Sequence, residues 1–389
     1  MPERSIPPPG PPSPPNGGTT AWLQVAGAFL LFFSSWGLVN TFGVFQEYYH
    51  QTYLSSFPPS AISWIGTMQG FLLIVVGVLS GPLYDQGYLR GLIGVGTALI
   101  CLGLLIAGEV REYFGIFLSL SLLVGMGAGC LFVPSVAIVA QYFTTRRPFA
   151  TGIAAAGGSF GGIIFPIVFK ETLDAVGYGW ACRILAFIVF ASLIWPFLVM
   201  KPRTIPSQTR TLLDLGAFKD QSFTLFSLSL FFTFAGLYVP FFYLPSYSKS
   251  QLGVNGSLMF YLLAVLNAGS VFGRLIPNLI AVYAGSLNIL LFCIFTSGIL
   301  VFFWIPIQDL AGVIAFAILY GFFSGAVVSL PPTALVTISP DLSKIGTRLG
   351  MSFSFAGFGL LVGNPIAGAL LRSGLHFKGL QVFTGKCLR

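Results

Sequence analysis

Charge is the scarcest commodity in this sequence: only 8% of its 389 residues are Asp, Glu, Lys or Arg. A water-soluble surface needs far more, so the apolar surplus, 55% of residues, must face lipid. The phosphate-cradling pattern Gly-x-x-x-x-Gly-Lys-Ser/Thr is missing, so ATP-driven pumping has no basis. No Cys-x-x-Cys spacing occurs. Cys101, Cys130 and Cys293 lie inside apolar runs, Cys182 begins one, and Cys387 is near the end; all read as small hydrophobes. The two histidines, His50 and His376, fall in separate connecting segments and make no metal set. With no catalytic constellation on an extramembrane domain, an enzyme is not expected, and no cofactor is expected either. The period-two alternation of a membrane barrel is absent as well.

What the chain does contain is eleven apolar runs, near 22–43, 61–81, 89–108, 113–140, 149–169, 181–200, 222–244, 258–281, 286–305, 310–336 and 348–371. A helix crosses the ~30 Å hydrocarbon core in roughly 20 residues, so each run is long enough to span. The expected fold class is an all-α polytopic membrane protein. Residues 1–20 are Pro-rich from Pro7 to Pro15 and read as a disordered cytosolic tail, without a signal-peptide pattern. The net charge of +8 is spread over connecting loops, which argues against nucleic acid as a partner and for the bilayer. An N-terminus in the cytosol puts Arg90, Arg146, Arg147, Lys201, Arg203, Arg210, Lys219, Lys344 and Arg348 on that side. Arg111, Lys170, Arg183 and Lys249 are left on the other. That is the positive-inside pattern.

The polar connection 201–221 divides the chain into a bundle over 21–200 and a second over 222–389. Landmarks recur across it at an offset of 196–199: Gly125, Gly129, Pro134, Gly152, Gly158 and Pro166 match Gly321, Gly325, Pro331, Gly350, Gly357 and Pro365. Two similar halves are the architecture of alternating access around a midplane site. The loop after the second run, Gly81 to Arg90, holds Asp85 and Arg90 at a tight turn. It resembles the loop signature of the major facilitator superfamily, which implies a conformational latch built from Asp85 and Arg90; Arg146 and Arg147, at the cytosolic membrane surface, read as residues with an orientation or latch role. The matching loop, Pro277 to Gly285, has Val282 where an acid is expected, so the latch reads as one-sided.

The stretch Gly125-x-Gly-x-Gly129 through Pro134-Ser135, Tyr142-Phe143, Arg146-Arg147 and Gly157-Gly158 resembles the monocarboxylate porter family, above all its fungal branch. Trp36-Gly37, Ser63-Trp64 and Asn267 with Gly273-Arg274 agree with it. The resemblance implies the major facilitator fold, two six-helix halves with the twelfth helix truncated. It departs where animal members carry a Lys and an Asp, here Asn40 and Ser270. Lactate-type proton coupling therefore does not carry over.

Arg274 is the one basic side chain deep inside a run. Burying it costs about 2.5–3.5 kcal/mol on insertion scales, which marks a functional residue. Its planar fork suits a carboxylate. Asn267, two turns away, and Asn40, Gln69 and Tyr238 complete the expected substrate-binding set, with Asn364 and Tyr261 behind them. Glu47, near the outer end of the first run, reads as solvated. After Arg372 the remaining tail is too short and polar to span, which suggests a truncated chain or a tail at the outer surface. The expected function is secondary active transport of a small organic anion or metabolite larger than lactate, in the manner of monocarboxylate transport or secondary-metabolite efflux, by alternating access with protons as the drive. The plasma membrane is the default location. The alternative is an inactive truncated remnant or a non-transporting sensor, though the short tails speak against a sensor.

Overall fold

A computed structural model describes residues 14–204, 210–254, 258–339, 344–371 and 376–389. Eleven helices long and apolar enough to cross a membrane run in order: α1 Thr19–Gln51, α2 Pro59–Asp85, α3 Leu89–Glu109, α4 Tyr113–Tyr142, α5 Arg147–Val176, α6 Tyr178–Val199, α7 Gln221–Leu252, α8 Leu258–Ala284, α9 Ser286–Trp304, α10 Leu310–Ser329 and α11 Ile345–Leu370. No strand occurs among the described residues. Several helices outrun the apolar windows. α1 continues past its run through Glu47, Tyr48 and Tyr49, because helix continues beyond the hydrocarbon core.

Local chemistry sets the breaks. Gly87 (φ 90°) turns α2 into α3, and Gly285 (φ 84°), 198 positions later, turns α8 into α9; both need the left-handed backbone that glycine adopts freely. α7 breaks at Tyr238, between Gln221–Leu237 and Val239–Leu252, because Pro240 cannot continue the hydrogen-bond ladder. Asp220 caps α7 by accepting from Ser222 N at 3.1 Å. α4 widens to π geometry over Phe117–Leu123.

α1 and α7 are the innermost helices. α6 and α9 lie outside, showing Phe187, Phe190, Phe292 and Phe303 to the lipid zone. The two bundles meet where α5 packs on α8 and α2 on α11, with α1 against α7 at the centre. α8 and α10 cross closely, Gly269 and Gly273 against α10 and Gly321 and Gly325 against α8.

Beyond α11 a further helix, α12, covers His376–Cys387. Its 12 residues reach about 18 Å, a little over half of the hydrocarbon core. It does not lie on the surface, as one expectation had it. Leu380, Gln381, Thr384 and Leu388 are buried, and it seats against Gly236 of α7 and Gly298 of α9. Hereafter the side carrying the connection between α6 and α7 is the linker face, and the opposite side the far face.

Candidate functional site

The site is built around Arg274, 1% exposed on α8. One Nη1 hydrogen donates to the carbonyl of Ala155 on α5. Its Nε has no partner, and no carboxylate pairs with it among the described residues. Glycine in α5 makes the room: a Cβ at Gly158 would stand 2.9 Å from both Arg274 Nη1 and Trp36 Cβ. Asn278 Nδ2 steadies this turn of α8, donating to the Arg274 carbonyl at 2.8 Å and to Ser329 Oγ of α10 at 2.7 Å. Ser159 and Ser270 join α5 to α8 at 2.9 Å. A buried cation without a counter-ion is electrostatically unsatisfied, so an anion brought to it gains a strong partner.

Around the arginine the structure gathers most of the expected set. Asn40 donates from Nδ2 to the Gly158 carbonyl at 3.1 Å, and its Oδ1 is unpartnered. Tyr238, at the α7 break, is fully buried with an unpartnered hydroxyl within electrostatic reach of Arg274. It stacks on Trp36 with centroids 6.0 Å apart and planes at 21°. Asn267 donates to Leu263 O at 2.9 Å, and its free Oδ1 lies against Gly162. Gln69 stands apart: it is buried in α2, its backbone against Gly125 of α4. Asn364 of α11 is buried with neither amide atom partnered. Tyr261 instead donates to Glu171, bridging α8 and α5. Trp36 is the residue that composition and charge did not single out; its indole Nε1 is buried and unpartnered.

On the linker face Asp85 is buried and paired, but not with the expected residues. Both its oxygens are held by Arg210, from Nε at 2.6 Å and Nη2 at 2.7 Å, with Arg210 N donating at 3.1 Å. Arg90 and Arg146 are exposed and make no ion pair among the described residues. Arg147 lines a cavity instead. The connection also supplies the acids that the second half lacks. Asp214 lies 3.6 Å from Lys344 and 3.7 Å from Arg348, and Arg348 Nη1 donates to Asp220 at 3.3 Å. Thr347 Oγ1 donates to Thr211 O at 2.6 Å. Ion pairs from the linker thus reach both halves on this face, to α2 through Asp85 and to α11 through Arg348.

On the far face Glu47 is buried, not solvated. Ser246 and Gln51 donate to it, and Lys249 of α7 stands 3.7 Å away. The Ser246 and Lys249 contacts tie α1 to α7 across the halves. A cavity of about 520 Å³ there is lined by Glu47, His50, Tyr243 and Lys249. Charged contacts therefore join the halves on both faces, and the buried polar residues around Arg274 lie between them.

A central cation enclosed between two helical bundles, with separate contacts on each face, is the arrangement of an alternating-access carrier. The sequence profile described as Major Facilitator Superfamily matches residues 25–363. The chain belongs to this superfamily. Among its superfamily relatives, the MFS-type transporter dbaD of Emericella nidulans is 42% identical over 372 residues, covering 95% of this chain and 84% of the relative. The aspyridones efflux protein apdF of the same organism is 37% identical over 371 residues, covering 95% and 76%. A crystal structure of the nucleoside transporter NupG superposes with a TM-score of 0.71 at 15% identity, covering 95% of this chain and 97% of that one. That likeness concerns the major facilitator fold alone. The chain is an integral membrane protein and, like its relatives, a transporter.

Proposed function

We propose that this major facilitator protein exports a small acidic metabolite from the cytosol across the plasma membrane, driven by protons and working by alternating access. The observation that carries the reading is Arg274, buried at the meeting of the halves without a counter-ion among the described residues. Its cost to folding is repaid when a substrate carboxylate or acidic phenol occupies the fork. Asn40, Asn267 and Tyr238 supply the neutral hydrogen-bonding groups around it, and Trp36 a flat apolar wall. Export is supported by the name of apdF as an efflux protein. The basic residues of the linker face support a cytosolic position for that face and for the N-terminus.

Monocarboxylate-like chemistry enters here as the class of anion, without the Lys and Asp of lactate carriers. In this reading Glu47 is the coupling carboxylate. It is buried in the far-face contact, and protonating it weakens its attraction to Lys249 and so loosens that face. The test is flux in proteoliposomes under an imposed proton gradient, screening carboxylates and bulkier acidic metabolites. Gradient-dependent flux that disappears in Arg274→Ala is the expected result. Flux indifferent to Arg274→Ala rejects the anion site, and flux indifferent to the gradient rejects proton coupling.

A further inference from the structure

Because Arg210 occupies Asp85, Arg147 is left without an acid among the described residues. It opens α5 on the linker face and lines a cavity of about 230 Å³ beneath the linker. Its guanidinium makes no ion pair and no hydrogen bond among the described residues, and it is half-buried. Tyr84 lines the same cavity, and its hydroxyl is buried and unpartnered. Asp85 is the one carboxylate in the lining among the described residues, and Arg210 holds both of its oxygens. Among the described residues one positive charge therefore remains uncompensated. The rest of the wall is largely apolar, with Val136, Leu349, Phe353 and Phe132 among it.

Phe132 also connects this cavity to the centre. Its ring lies 5.7 Å from that of Phe353 and 5.9 Å from that of Trp36, which stacks on Tyr238. A single aromatic layer thus separates the cavity from the residues around Arg274.

We propose that this cavity is a second binding site, a vestibule for a planar amphipathic organic anion such as an aromatic carboxylate. The carboxylate meets the Arg147 fork, the Tyr84 hydroxyl donates to it, and the ring lies along Phe132 and Phe353. The volume falls below the ~300–1,000 Å³ of drug-sized pockets, which suits a ligand of one or two rings. A cation is repelled by Arg147, and a neutral ligand forgoes the charge-assisted bonds. The identity of the ligand as transported substrate rests on the proposed function; the vestibule itself is tested separately.

The test is equilibrium binding of tritiated salicylate to the full chain, purified in detergent, beside Arg147→Gln, Arg147→Lys and Arg274→Gln. The wild type is expected to bind two equivalents. Arg147→Gln weakens one of them about tenfold, the effect of losing a charged hydrogen bond. Arg147→Lys weakens it less, keeping the charge without the fork. Arg274→Gln removes the other equivalent, and neutral salicylamide fails to displace salicylate from the vestibule. A single equivalent abolished by Arg274→Gln and untouched by Arg147→Gln overturns the vestibule but leaves the central site standing. An equivalent sensitive only to Arg147 does the reverse. No salicylate binding by the wild type also overturns the vestibule.

Discussion

Arg210 donates to both carboxylate oxygens of Asp85, at 2.6 and 2.7 Å, and so fastens the connection between the bundles to the end of α2. The carboxylate side chain is 5% exposed and the arginine 24%. Pairing at that depth is worth more than an exposed surface pair, and removing one partner strands a buried charge. Arg210→Gln is therefore expected to loosen the linker face. The rate of maleimide labelling at Gly346→Cys, in a background lacking the native cysteines, should rise several-fold; Gly346 lies beside the Arg210 guanidinium. An unchanged rate would show that the pair does not hold this face closed.

Removal of the Arg274 charge separates function from stability. An unpaired buried cation costs about 2.5–3.5 kcal/mol on insertion scales, so Arg274→Gln should fold at least as stably as the parent. Flux of an acidic substrate should fall by at least tenfold, a loss of about 1.4 kcal/mol. Thermal unfolding and proteoliposome flux on the same preparation check both halves. A large drop in Tm would mark the arginine as structural.

Gly158 sets the space beside that arginine. In Gly158→Ala the new methyl would meet Arg274 Nη1 and Trp36 Cβ, each at 2.9 Å. Relieving such overpacking costs about 1–3 kcal/mol. The expected outcome is a folded protein with a raised half-saturation constant for the anion, read from binding isotherms. Wild-type affinity would mean that Trp36 and Arg274 adjust freely.

Glu47→Gln mimics a permanently protonated far face. It retains an acceptor for Ser246 but loses the charge facing Lys249. Flux should continue down the substrate gradient while its response to an imposed proton gradient vanishes. A variant still driven by protons would move the coupling group elsewhere.

The hydrophobic runs announced the helices because lipid imposes the same demand on every span: enough apolar residues to cross. Arg274 was legible for the same reason, being a charge where charge is expensive. Asn40 and Tyr238 could be found as polar interruptions, but their meeting at Gly158 and Trp36 depends on how α1, α5 and α7 pack. The partner of Asp85 was not legible. The loop signature directs attention to arginines nearby in sequence, whereas Arg210 lies 125 residues away and reaches Asp85 only through the path of the linker. Glu47 misled for a related reason. Position near a helix end suggests solvent, and only the approach of α7 buries it.

The linker ion pairs also fix a distance. Arg210 is fastened to α2, and Asp214, four residues on, lies beside Lys344 and Arg348 at the start of α11. Fully extended, four residues of backbone reach only about 14 Å. The ends of α2 and α11 are thus on a short leash, and the bundles cannot part further at this point while both attachments hold. Wider opening and rupture of an ion pair become a single event, so loss of either attachment should set how readily the chain yields its linker face to solvent.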